Sequence, residues 1–152
     1  MKELLSITIY TQYAQIANPG GGIAAFCVEE NNRQLYEALE ISAAVTNHVA
    51  ALWAIGAGLG WLTRNRANAN VKFCASLLSA LSVAKAVQAG ECVSDSTPQK
   101  LRERLAALLR ECADKDLHIS FAWQRSAENP AALHASKLLA ERNANGVRQR
   151  AA

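Results

Sequence analysis

Residues 6–11 (Ser6-Ile7-Thr8-Ile9-Tyr10-Thr11), the turn cluster Asn18-Pro19-Gly20-Gly21-Gly22 and the run 23–30 together decide the fold of this chain. The first segment alternates and is rich in β-branched residues, which suits a pleated strand with one face in a core. The proline–glycine cluster breaks it, and residues 23–30 resume as a second strand. Asn31-Asn32 marks a hairpin turn into a third strand over 35–41, with Leu35, Glu37, Leu39 and Ile41 on one face and Tyr36, Ala38 and Glu40 on the other.

Beyond this meander the period changes. Residues 46–63 read as an apolar helix, with Arg64 and Arg66 favourably placed near the negative end of its dipole. Residues 70–74 form a short strand, and 76–89 a second apolar helix that Gly90 is suited to stop. Residues 94–96 read as loop. Thr97-Pro98 predicts a helix start, a hydroxyl cap followed by proline in the first turn, for a helix to about residue 115 striped by Leu101, Leu105, Leu108 and Leu109. Residues 117–123 form a fifth strand. Asn129-Pro130 repeats the cap-and-proline signal and opens a last helix to about residue 142, followed by a polar, flexible tail over 143–152.

Three strands joined by short turns imply an antiparallel meander, and the later strand–helix–strand steps imply parallel additions through right-handed crossovers. The expected fold is therefore α/β, a five-stranded mixed sheet with helices on both faces, in one domain over residues 1–142. A chain of 152 residues can bury such a core without disulfides. With 51% hydrophobic and 19% charged residues it has a globular composition, and its formal charge of +3 is compatible with a polyanionic partner without requiring one. Cys27, Cys74, Cys92 and Cys112 form no CxxC pair, which argues for buried free thiols in a reducing compartment and against zinc. The N-terminus lacks the continuous apolar run of a signal peptide, so the chain reads as cytoplasmic. Residues 41–63 carry no charge over 23 positions. The polar Ser42, Thr46, Asn47 and His48 and the many small residues nevertheless favour a core helix over a membrane span.

The order of elements, and several motifs in register with it, resemble ribonuclease H type 1. Residues 7–11 resemble that family's first strand, and Asn18-Pro19-Gly20 with the following Gly21-Gly22-Ile23 its glycine turn into the second. Thr46-Asn47 resembles its Thr-Asn-Asn helix start. Val71-Lys72-Phe73 resembles the fourth strand, and Phe121-Ala122-Trp123 with Glu128-Asn129-Pro130 the fifth strand and last helix. The resemblance covers residues 5–142, without the family's basic protruding helix.

The departures fall on the family's metal-binding acids. Gln12 stands at the first, Ala51 at the second, and Ala75 or Ser76 at the third; Leu133, His134, Ser136 and Lys137 are the candidates for the fourth. No Asp or Glu occurs over residues 4–28, 41–90 or 129–140. A pair of magnesium ions needs hard anionic oxygens to hold it against its own repulsion. The resemblance thus implies an inactive member of the family, with no catalytic residue, metal or cofactor. A replacement chemistry built on His134 with Ser76 or Ser136 lacks an orienting partner and an oxyanion site.

Two functions remain for such a scaffold. In the first, Asn18, Gly20, Gly21, Thr46 and Asn47, with Arg64 and Arg66, contact an RNA/DNA hybrid or double-stranded RNA across its wide minor groove. Residues 41–90 carry Arg64, Arg66, Lys72 and Lys85 with no acid to oppose them. In the second, the protein is an interaction or structural subunit, a homodimer or part of a nucleic-acid-processing complex, docking through Leu77, Leu78 and Leu81 of the second helix.

Overall fold

The computed structural model describes residues 4–91 and 97–151. Cys92 and the loop expected over 94–96 lie outside the described residues. The meander is β1 (Leu5–Gln15), β2 (Gly20–Glu30) and β3 (Arg33–Val45); then come α1 (Asn47–Asn65), β4 (Ala69–Ala75), α2 (Leu78–Gln88), α3 (Gln99–Asp114), β5 (Leu117–Trp123), a single 3-10 turn at Ser126–Glu128 and α4 (Pro130–Ala151). The sheet order is β3-β2-β1-β4-β5. β1 pairs antiparallel with β2, and β2 with β3; β1–β4 and β4–β5 are parallel. This is the mixed sheet that the alternation of elements predicts.

Strand alternation divides the apolar residues between two faces. On one, Ile7, Ile9, Phe26, Val28, Val71 and Phe73 pack with Leu52, Ile55, Leu59 and Leu62 of α1 and with buried residues of α2 and α3. On the other, Ile23, Ala25 and Cys27 meet Ala131 and Ala135 of α4. Each large apolar side chain fully withdrawn from water contributes roughly 1.5–3 kcal/mol. α1 is buried along most of its length, which explains its lack of charge before Arg64, and no described helix is long and apolar enough to cross a membrane.

Local chemistry sets most of the element ends. Asn31 and Asn32 have φ of 52° and 61°, and close the two-residue hairpin between Glu30 and Arg33. Thr46 caps α1, its hydroxyl accepting from the Val49 N–H at 3.3 Å. Gly90, at φ +73°, donates to Val87 while Glu91 donates to Ala86, the paired bonds that close a helix through a left-handed residue. Asn129 Oδ1 accepts from the Ala131 N–H at 2.9 Å, so the predicted asparagine start of α4 is present. The helix backbone continues to Ala151, through residues that the sequence assigns to a tail.

Two expectations are corrected. Thr97 does not cap α3, which begins at Gln99 without a side-chain cap; its hydroxyl is instead bonded to His48 Nε2 at 2.8 Å. α2 is not apolar on more than one exposed face. Leu81 is 2% exposed and lies in the main core with Val83 and Ala84, and Leu77 packs against that core. Leu78, at 64% exposure, is what remains of the expected docking surface.

At the far end of α1, Arg66 grips Glu30 through Nε, which donates to Oε2 at 2.9 Å and Oε1 at 3.2 Å, and Nη2, which donates to Oε1 at 2.7 Å, and lies 4.9 Å from the Trp61 ring centre. The hydrogen bond from Arg66 holds the Glu30 carboxyl below its ordinary pKa, against an opposing effect of burial. A depressed folded-state pKa means stability that is present above the unfolded value and lost as pH falls through the folded one. We therefore expect the stability gap between the native chain and Glu30→Gln to close on acidification from pH 7 through the carboxylate range, as read by urea midpoints. A gap unchanged by pH would contradict this.

Candidate nucleic-acid interface

The carboxyl ends of β1, β4 and β5 lie together at one end of the sheet, the position where open α/β folds commonly place their ligand crevices. Gln12 projects there from β1 and is 6% exposed. Its Nε2 donates to Ser126 Oγ in the 3-10 turn, and its Oε1 accepts from Ser76 Oγ at 3.1 Å and from the Tyr13 N–H at 3.3 Å. Trp123, at the end of β5, donates from Nε1 to the Ser76 carbonyl at 3.0 Å while its ring stays 53% exposed. Asn129 ties the start of α4 to the same place, donating to the Thr11 carbonyl at 3.0 Å. Ala51 and Ala75 are buried in the adjoining core.

This donor set does not fit a pair of magnesium ions. Every side chain in the cluster is neutral, and the amide oxygen that Gln12 would offer already accepts two hydrogen bonds. Hard divalent ions are held by carboxylates and carbonyls with lone pairs to spare. Among the described residues no group of three or more His, Cys, Asp or Glu is placed to hold a metal.

The start of α1 lies at the same end of the sheet. Asn18 Oδ1 accepts from the Asn47 N–H at 3.0 Å, so the glycine turn and the Thr46-Asn47 segment are directly joined. Gln15 Nε2 fastens the turn further, donating to the carbonyls of Gly20 and Val45 at 3.0 and 2.8 Å. The glycines themselves answer to backbone crowding: a Cβ at Gly22 would stand 1.9 Å from the Ala14 oxygen, and at Gly20 and Gly21 2.5 and 2.6 Å from the oxygens of Ala17 and Ile41. Gly20 and Gly21 remain half-buried while Gly22 is buried, and Thr46 and Asn18 are exposed.

Of the residues singled out in the sequence, Asn18, Gly20, Gly21, Thr46 and Asn47 are therefore brought together, and Gln12 meets Ser76 beside them. Arg64 and Arg66 are not part of this cluster. They sit at the other end of α1, whose 19 residues span about 28 Å. Of the candidates on α4, Leu133 is exposed, and His134 faces β3 with its ring 5.2 Å from that of Tyr36.

Sequence reasoning missed three residues. Ser126 has no motif, because its bond to Gln12 closes across most of the chain. Trp123 was legible only as a strand residue. His48, with Nδ1 3.0 Å from Ser79 Oγ and Nε2 2.8 Å from Thr97 Oγ1, links α1 to the starts of α2 and α3.

The fold is that of the ribonuclease H class. No protein-family model matches the chain, and no curated protein matches it either. Among solved structures, it resembles LC11-RNase H1 in complex with an RNA/DNA hybrid, with a TM-score of 0.67 and 20% identity over 89% of this chain and 94% of that one. It also resembles RNase H1 from the halophilic archaeon Halobacterium salinarum NRC-1, at TM-score 0.65 and 17% identity over 90% and 98%. The N-terminal RNase H domain of a Mycobacterium tuberculosis protein gives TM-score 0.64 and 21% identity over 97% and 99%. At these identities the likeness is one of fold.

Proposed function

We propose that this protein is a ribonuclease H-like nucleic-acid-binding protein that holds an RNA/DNA hybrid or structured RNA without cutting it. The observation that carries the reading is the neutral, mutually bonded set Gln12–Ser76–Ser126 at the carboxyl ends of β1 and β4. It supplies polar contacts and no anionic charge to repel phosphate. In this reading Asn18, Gly20, Gly21, Thr46 and Asn47 contact the sugar–phosphate backbone and 2′-hydroxyls of an A-form-like duplex. The exposed Trp123 ring offers a stacking surface beside them. Three buried, free thiols, Cys27, Cys74 and Cys112, suit the reducing cytoplasm in which we place the protein.

The test is fluorescence anisotropy with labelled RNA/DNA hybrid, double-stranded RNA, double-stranded DNA and single strands at two salt concentrations. Affinity is expected to favour hybrid or double-stranded RNA and to fall with salt. Asn47→Ala and Trp123→Ala are each expected to weaken it about three- to tenfold, the range of one lost hydrogen bond or stacking contact. Unchanged affinity in both variants would overturn the assignment of the face. The second reading, an interaction subunit forming a homodimer or joining a larger complex, rests on the exposed Leu78. It would be favoured by absence of binding to every nucleic acid together with association that Leu78→Asp abolishes.

A further inference from the structure

A trough of about 870 Å3 lies along α1 between β3 and the start of α3. Its floor follows one helical face, Val49, Trp53, Gly56, Gly60 and Arg64, at spacings of three and four residues. Over that length the floor extends about 22 Å. Leu39 of β3 forms one wall; Leu101 and Leu105 of α3 form the other. The glycines keep it deep. A Cβ at Gly56 would touch only Leu105 Cδ2, at 3.6 Å, so no crowding in the fold demands glycine there.

The rim is charged in one sense. Arg64, Lys100 and Arg104 line the trough against the single acid Glu37. Arg64 is laid back along the floor, its Nη1 3.1 Å from where a Gly60 Cβ would stand. An apolar channel of this volume with a few convergent polar groups is the usual form of a small-molecule site. Three cations beside an apolar floor about 22 Å long suit a ligand with an anionic head and a long apolar body.

We propose that the trough binds a single-chain organic anion, an alkyl carboxylate or its chemical equivalent, with the chain along Trp53 and Gly56 and the head against Arg64 and Arg104. The head end of this site, at Arg64 and Arg104, is remote from the proposed nucleic-acid face, while its other end, at Val45 and Val49, adjoins Thr46 and Asn47. The proposal does not rest on nucleic-acid binding, and its failure would leave that reading intact.

Trp53 supplies the readout. Dodecanoate brominated near its methyl end, kept below its micelle concentration, is expected to bind saturably and to quench tryptophan emission; in Trp53→Phe the quenching should fall away. Dodecanol should bind at least tenfold more weakly than dodecanoate to the native chain. The double variant Arg64→Gln/Arg104→Gln should bind the two alike, and Gly56→Leu should block both, with near-ultraviolet circular dichroism reporting that each variant remains folded. Equal affinity of the native chain for acid and alcohol would overturn the proposal. So would quenching that persists in Trp53→Phe, binding to anionic phosphatidylglycerol vesicles without binding of the monomer, or displacement of the dodecanoate by an RNA/DNA hybrid, which would assign the trough to nucleic acid.

Discussion

Leu81→Asp is expected to unfold the protein, whereas Leu78→Asp, three residues earlier on the same helix, should leave stability within about 0.5 kcal/mol of native. Leu81 is 2% exposed and packs in the core shared by β4, α1 and α3, while Leu78 is 64% exposed. The aspartate at 81 would lose the transfer energy of a buried leucine and place a carboxylate where no partner is available. The sum is at least about 4 kcal/mol, a large share of the 5–15 kcal/mol by which a domain is usually stable. Urea titration followed by far-ultraviolet circular dichroism measures both. A folded Leu81→Asp variant that had merely lost self-association would instead restore the docking role that the sequence suggests for this residue.

The second large effect lies on α1. Gly58→Ala should destabilise the fold by about 1–3 kcal/mol, the usual cost of overpacking, even though alanine is intrinsically the better helix former by about 1 kcal/mol. The added Cβ would stand 2.9 Å from Phe73 Cε1 and 3.2 Å from Ile9 Cγ2. Both side chains are fully buried at the centre of the sheet and have no room to give. Gly56→Ala, two residues away on the trough side, meets only an ordinary contact and should raise stability by about 0.5–1 kcal/mol. Opposite signs in thermal melts are the expected result. Equal effects would mean that α1 is rotated from the orientation described here.

Much of this was legible beforehand because it is written in local periods. Alternation located β1 to β3, and the switch at Thr46 located α1. Gly90 marked the end of α2, and the last helix opened at Asn129 as its side chain required. The misreadings arose where distant residues decide. The Thr97 hydroxyl was available to cap α3, but His48, far away in sequence, holds it. The second helix reads as apolar on more than one face only if its neighbours are unknown: α3 and β5 pack against Leu81 and Val83 and leave Leu78 outside. Arg66 looks like a free cation until the hairpin brings Glu30 to it.

The candidate site was half legible. The absence of Asp and Glu from residues 4–28, 41–90 and 129–140 was plain, whereas the pairing of Gln12 with Ser76 needed the strand register, Tyr10 opposite Cys74. Ser126 completes the neutral cluster from a turn with no motif, and the exposure of the Trp123 ring depends on what the last strand leaves uncovered.

The central claim, a ribonuclease H-like scaffold that binds without cutting, is tested most directly on one sample. An RNA/DNA hybrid labelled on its RNA strand is mixed with protein in magnesium or in chelator, its anisotropy is measured, and the same mixture is run on a denaturing gel. The account predicts equal, salt-sensitive binding in both and an intact RNA strand. Magnesium-dependent shortening of the RNA, abolished by Gln12→Ala or Ser76→Ala, would contradict it.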